Sequence, residues 1–238
     1  MNLRIQRAAG LALVLTVSMA ATAFAALSTN EQERLTDAAG VVTALRGADN
    51  GIPENLWQKA QCVIVIPDMK KAAFIFGGEY GKGVMSCRSA AGWTAPMFME
   101  LEKGSWGFQA GAEEIDLVLL VMNREAATKM LNSKVSLGAG ASVAAGPVGR
   151  AAAASTTEEL AEVLSYSRSK GLFAGINLSG GVLKTDDDSN KDAYGSTALA
   201  AVMNGGTAAP AGARAFIQAL GATAAATTGT TTPAPTAR

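Results

Sequence analysis

Leu35, Ala38, Ala39, Val42 and Leu45 recur at three- and four-residue spacing, with Glu31, Glu33, Arg34, Asp37 and Arg46 on the other face. This pattern predicts an amphipathic helix that ends near Gly47. Ser28 with Glu31, or Thr29 with Gln32, supplies a capping box at its start. Such a helix either packs on the domain or lies in a membrane interface, and its acidic residues and small apolar side chains favour packing. A second short helix opens at Pro53, a favoured first helical position, and carries Leu56 and Trp57. From Gln61 the period changes. Cys62-Val63-Ile64-Val65-Ile66 is a continuous, largely β-branched run, as expected of a buried strand that ends at Pro67. Further short strands are predicted over 72–76, 82–88, 96–101 and 105–110, with turns at Gly77-Gly78 and Lys103-Gly104. An apolar strand follows over 116–122, then a short helix over 124–131.

The second half repeats the strand theme with smaller residues. Residues 134–146 alternate loosely, 160–167 read as strand or helix, and 172–184 contain Gly175, Gly180 and Gly181. Glycines weaken flat strands but suit bulges, sharp curvature and close backbone approach. Residues 186–191 read as a polar turn and 211–220 as a last helix. From 221 to 238 the chain is Ala, Thr, Gly and Pro with one charge, which predicts a disordered tail. No internal repeat of fixed period is visible. The expected fold is α+β: a strongly curved or barrel-like antiparallel sheet with an N-terminal helix and a few short helices, in a single domain over 26–220.

The segment before the first helix changes the reading of the whole. Arg4 and Arg7 precede an apolar run that ends in Ala23-Phe24-Ala25, the A-x-A pattern of a secretory signal. The run is shorter than the ~20 residues that span a bilayer, so cleavage after Ala25 is expected over an uncleaved anchor. Residues 1–25 are thus read as a signal peptide and the protein as exported, to the periplasm or envelope or beyond the cell. Cleavage removes two of the 20 basic residues and none of the 20 acidic ones. That near-balance speaks against a nucleic-acid partner. In an oxidising compartment Cys62 and Cys87 are disulfide candidates, each in a strand-like segment; the alternative is two buried thiols. The chain contains no histidine, which removes Ser-His-Asp and Cys-His chemistry and, with two cysteines only, makes a zinc site unexpected. No cofactor is expected.

Several motifs fail on inspection. Residues 77–83 lack the Walker pattern, since Phe76 stands at its first glycine and Gly83 where Ser or Thr is required. Asp186, Asp188 and Asn190 imitate a calcium loop, but Lys191 replaces its glycine and Thr197 its terminal Glu. Glu114 and Asp116 share a strand face without a neighbouring nucleophile, so no enzyme is expected. Trp93 and Trp106 suit either an apolar rim or sheet packing. The cations beside glycine turns are more suggestive. Lys70 and Lys71 fall at a turn after a strand, Arg150 follows Gly146-Pro147-Val148-Gly149, and Arg168 and Lys170 flank a turn before Gly171. Backbone N–H groups and guanidinium forks can hold phosphate at such places. For Arg150 and Arg168 the competing role is an internal ion pair with Asp116 or Glu113.

Ordered blocks then carry a resemblance. Ile66-Pro67-Asp68-Met69-Lys70-Lys71-Ala72-Ala73-Phe74 is followed by Gly77-Gly78-Glu79-Tyr80-Gly81-Lys82-Gly83, by Gly92-Trp93-Thr94-Ala95-Pro96-Met97-Phe98 and by Gly107-Phe108-Gln109-Ala110-Gly111. Ala144-Ala145-Gly146-Pro147-Val148-Gly149-Arg150 and Ser165-Tyr166-Ser167-Arg168-Ser169-Lys170-Gly171-Leu172-Phe173-Ala174-Gly175 close the series. Over roughly 36–206 the chain resembles the SYLF domain family. The resemblance implies a non-enzymatic lipid-binding domain, related to eukaryotic proteins that bind phosphoinositides and actin. An export signal and an acidic first helix depart from those proteins, and SH3 and FYVE modules are missing. A membrane with anionic headgroups is therefore the partner expected, contacted by Lys70, Lys71, Arg150, Arg168 and Lys170. An envelope protein is the second partner class, and actin enters by analogy alone.

Overall fold

The strands are built from the β-branched and aromatic runs, and long-range pairing decides where each one stops. A computed structural model describes residues 27–48, 51–73, 76–106, 111–132, 134–148, 161–169, 172–195 and 197–221. Helix α1 (Thr29–Gly47) and helix α2 (Glu54–Lys59) lead into β1 (Cys62–Ala73), β2 (Phe76–Ser89), β3 (Gly92–Trp93), β4 (Met97–Trp106) and β5 (Gly111–Val121). After α3 (Arg124–Asn132) come β6 (Val135–Ser136), β7 (Val143–Ala145), β8 (Val163–Ser169), β9 (Leu172–Gly175) and β10 (Gly181–Thr185). Helices α4 (Asp187–Tyr194), α5 (Leu199–Met203) and α6 (Arg214–Gly221) close the described chain.

The main path of the sheet runs β6-β10-β4-β2-β1-β5-β8-β7, with β3 paired to β2 and β9 to β8. All pairs are antiparallel except β7 with β8. The path curls into a half-barrel, so the expected α+β class and curved sheet are what the chain forms. Glycines permit the curvature by letting neighbours approach. A Cβ on Gly81 would lie 2.5 Å from Ile66 Cγ2, and one on Gly83 would press on the Val65 carbonyl and on Ile66.

Helix α1 packs against β1, β2 and α6. Leu35, Ala38, Ala39, Val42 and Leu45, the predicted apolar face, are all buried. Its start uses the first of the two boxes: Ser28 N donates to Glu31 Oε2 at 2.7 Å and Glu31 N to Ser28 Oγ at 3.4 Å. Glu31, expected on the polar face, is only 3% exposed for that reason. Cys62 and Cys87 pair across β1 and β2 and form a disulfide, both fully buried. Pro53 caps α2 and Glu54 opens it.

Four local expectations are corrected. Strand β1 does not end at Pro67: it bulges between Ile66 and Met69 and resumes, so Lys70 and Lys71 lie inside a strand and not at a turn. Lys70 stands opposite Tyr80 and Glu114, Lys71 opposite Glu79 and Glu113. Gly77 and Gly78 are strand residues, opposite Ser105 and Gly104. Strand β4 accordingly runs through Lys103-Gly104 without a turn, because β2 and β10 both offer it partners there. Residues 186–191 form the cap and body of α4, not a free turn. Asp186 caps the helix, and three successive acidic residues suit the positive end of its dipole. The helix is also tied to β4, since Asn190 donates to the Phe98 carbonyl and accepts from Phe98 N, both at 2.8 Å. The ambiguous 160–167 segment is strand β8. The predicted signal segment lies outside the described residues, as does 222–238.

Candidate functional site

The bulge in β1 is the local event from which the site grows. Asp68 takes φ +48°, a left-handed conformation open to Asp and Asn. Its freed N–H donates to Asp116 Oδ1 at 3.2 Å. Asp116 is 8% exposed and its other oxygen accepts from Arg168, Nε at 2.6 Å and Nη2 at 2.5 Å. The Arg168 guanidinium also lies 5.9 Å from the Phe173 ring centre across the β8–β9 pair. Arg168 thus pairs with Asp116 beside the bulge, the internal ion pair that stood as its alternative role. Asp116 is engaged in these same contacts, while Glu114 is exposed.

Between the bulge and the first half of α1 opens a cleft of ≈ 420 Å³, within the ~300–1,000 Å³ range of small-ligand sites. Helix α1 presents Glu33, Arg34 and Asp37 to it; β1 presents Asp68 and Lys70, and β2 presents Tyr80 and Lys82. Of the three cations among its described lining residues, two are committed elsewhere. Arg34 Nη1 and Lys82 Nζ both donate to Asp186 Oδ2, at 3.0 and 2.9 Å, and Ser189 Oγ donates to the same oxygen at 2.8 Å. Burial alone would push the Asp186 carboxyl upward, but the bonds from Lys82, Ser189 and Arg34 outweigh it and hold the pKa below the ordinary aspartate value. Around Asp68 the balance is reversed. Partial desolvation and the charges of Asp116, Asp37 and Glu114 raise its pKa, against a smaller opposing effect of Arg168.

Beside the cleft a row of alternating charge crosses the sheet, Lys82 to Glu100 to Lys184. Lys184 bonds Glu102 at 2.7 Å and Glu100 at 3.4 Å. Tyr80, 43% exposed, donates to Glu100 Oε2 at 3.3 Å. Lys70 stands apart from this economy of pairs: it is exposed and makes no ion pair among the described residues.

Of the cations singled out by the sequence, then, Lys70 lines the cleft and Arg168 supports its floor through Asp116. Lys71 is placed by its strand pairing alone, and Arg150 and Lys170 lie outside the described residues. Sequence reasoning missed the cleft carboxylates and the Asp186 hub. The available signals were Asp68 directly after Pro67, and Asp186 three residues before Ser189 at a helix start. Trp93 is half-buried, 6.4 Å from Trp57 and capped by the Arg88 guanidinium at 4.4 Å, so it packs on the sheet. Among the described residues no group of His, Cys, Asp or Glu is placed to hold a metal ion, and no helix is long and apolar enough to cross a membrane.

The family described as Ysc84, Las17-binding protein actin regulator, matches residues 102–223, more than half of the 238 residues. The chain belongs to the Ysc84 family. This is the SYLF grouping that the ordered blocks resemble, and the match runs from β4 through α6. Among Ysc84-family relatives, LAS seventeen-binding protein 3 of Saccharomyces cerevisiae is 34% identical over 170 residues, 69% of this chain and 37% of that protein. Protein YSC84 of the same yeast is 35% identical over 154 residues, 63% of this chain and 33% of its own. SH3 domain-containing YSC84-like protein 1 of Xenopus laevis is 33% identical over 158 residues, 65% of this chain and 47% of its own. The chain thus spans less than half the length of these Ysc84 relatives.

Proposed function

We propose that this chain is an exported, non-enzymatic domain that docks on membranes bearing anionic headgroups. The observation that carries the reading is Lys70, an exposed cation with no ion pair among the described residues, at a cleft where Arg34 and Lys82 are engaged by Asp186. The SYLF resemblance supplies the expectation of lipid, and Lys71, Arg150 and Lys170 remain further candidate contacts. Arg168 takes a positioning role, since its charge is engaged by Asp116. Export is supported by the Arg4–Arg7 start, the apolar run and Ala23-Phe24-Ala25, and a disulfide between Cys62 and Cys87 suits an oxidising compartment.

Co-sedimentation with phosphatidylcholine vesicles, with and without phosphatidylglycerol, tests the lipid reading at low and high salt. Binding is expected only with the anionic lipid and is expected to fade as salt screens the contact. Lys70→Ala should weaken it about fivefold, the effect of losing one cation worth ~1 kcal/mol at an anionic surface. Absence of binding at low salt would overturn the proposal in favour of a protein partner, the class named in the Las17-binding relatives. A processed chain beginning at Ala26, read by mass spectrometry, is the expected mark of export; a retained Met1 would refute it.

A further inference from the structure

The cleft holds unpaired charges of both signs. Glu33 and Asp37 on α1, and Asp68 and Lys70 on β1, are all exposed, and none of the four forms an ion pair among the described residues. By contrast Arg34 and Lys82 in the cleft, and Arg168 and Lys184 on the nearby sheet, each meet a carboxylate within 4 Å. Asp68 and Lys70 flank the fully buried Met69, and both line the cleft. Because they are two residues apart, their Cα atoms are separated by at most about 7 Å, a distance that a phosphate and an ammonium joined by two carbons can bridge. Asp37 from the helix and Asp68 from the strand line the same cleft, and the Asp37 charge is one of those that add to the raised pKa of Asp68. A cation seated between them would relieve that repulsion.

We infer that the cleft takes a phospholipid headgroup bearing a primary ammonium beside its phosphate, with the phosphate on Lys70 and the ammonium between Asp37 and Asp68. This rests on the lipid reading above and narrows it to aminophospholipids. The chemistry distinguishes a primary ammonium from choline. A primary ammonium donates three hydrogen bonds to carboxylates, whereas a quaternary ammonium is recognised by a cage of aromatic faces. Among the described residues Tyr80 is the one aromatic that lines this cleft.

Vesicles of phosphatidylcholine carrying equal fractions of phosphatidylglycerol or phosphatidylserine present the same net charge, and the serine headgroup adds an ammonium and a carboxylate that glycerol lacks. The protein, as processed by its host cell, is expected to bind the serine lipid about three- to fivefold more tightly, the upper end of what exposed charge pairs contribute. In the Asp37→Asn, Asp68→Asn double variant the preference should vanish while phosphatidylglycerol binding persists. Lys70→Ala should weaken both lipids alike. Equal binding of the two lipids by the unaltered protein would overturn the ammonium site and leave the lipid reading standing. Failure to bind either would overturn that reading itself. Soluble glycerophosphoethanolamine is expected to displace the protein from vesicles only in large excess. Displacement at matched headgroup concentration would assign the cleft to a free phosphoamine and overturn its membrane role.

Discussion

Asp68 meets two demands that pull against each other. Its backbone must accept φ +48° so that β1 can bulge and still return to register, and Asp tolerates this conformation better than most residues. Its carboxyl, however, is partly desolvated and feels the charges of Asp116, Asp37 and Glu114, which together raise its pKa. A folded-state pKa above the unfolded value means that protonation favours the folded chain. The contribution is fully present below the unfolded value of about 3.9 and is lost as pH rises through the folded value. Asn accepts the same backbone conformation and carries no charge. Asp68→Asn is therefore expected to melt above the parent at pH 7, with the gap closing below about pH 4. Melting curves across that range check the claim, and a gap independent of pH would refute it. The sequence shows the residue but not its setting. Pro67-Asp68 reads locally as a strand end, and only the partners offered by β2 and β5 on both sides convert it into a bulge.

The same division between local and distant information runs through the elements. Helix α1 was legible because its buried face repeats within its own nineteen residues, and its cap lies within four. Strand β4 was read as two strands because Lys103-Gly104 is a turn signal in isolation, and the two flanking strands that override it are remote in sequence. The cleft was illegible for a related reason: Asp37 and Asp68 belong to different elements, and only the docking of α1 brings them together. That docking depends heavily on Asp186, whose side chain is 2% exposed and accepts from Arg34 of α1 and Lys82 of β2. Removing it would strand the Arg34 guanidinium, itself only 11% exposed. Asp186→Ala is expected to cost about 3–5 kcal/mol, as for other buried pairs broken on one side, and amide exchange should accelerate first in α1. Unchanged protection of α1 would show that its apolar face alone holds it. The pKa of Asp186 lies below the ordinary value, so its contribution is present above about pH 4 and falls away as pH drops through the lowered folded value. Acid should loosen the helix by the same route.

For the molecule as a whole, the half-barrel has open ends and its cohesion comes from the middle of the strand order. Strands β2, β1 and β5 lie there, and the disulfide joins the first two at directly opposed positions. Cys62 and Cys87 are 25 residues apart, so the bond restricts a sizeable loop in the unfolded chain. A loop of that size corresponds to about 3 kcal/mol, or roughly 6–12 °C in melting temperature for a domain of 150–250 residues. The Cys62→Ala, Cys87→Ala variant should lose that much while keeping the fold, because Ile64, Val65, Met85 and their neighbours still fill the core around it. Both sulfurs are inaccessible in the folded protein, so a thiol reductant must wait for the sheet to open. Under native conditions the rate of reduction should then follow the rate of unfolding and rise with denaturant as unfolding does. Fast reduction in buffer alone, with the melting temperature unchanged afterwards, would place the bond outside the structural core and remove it from the account of stability.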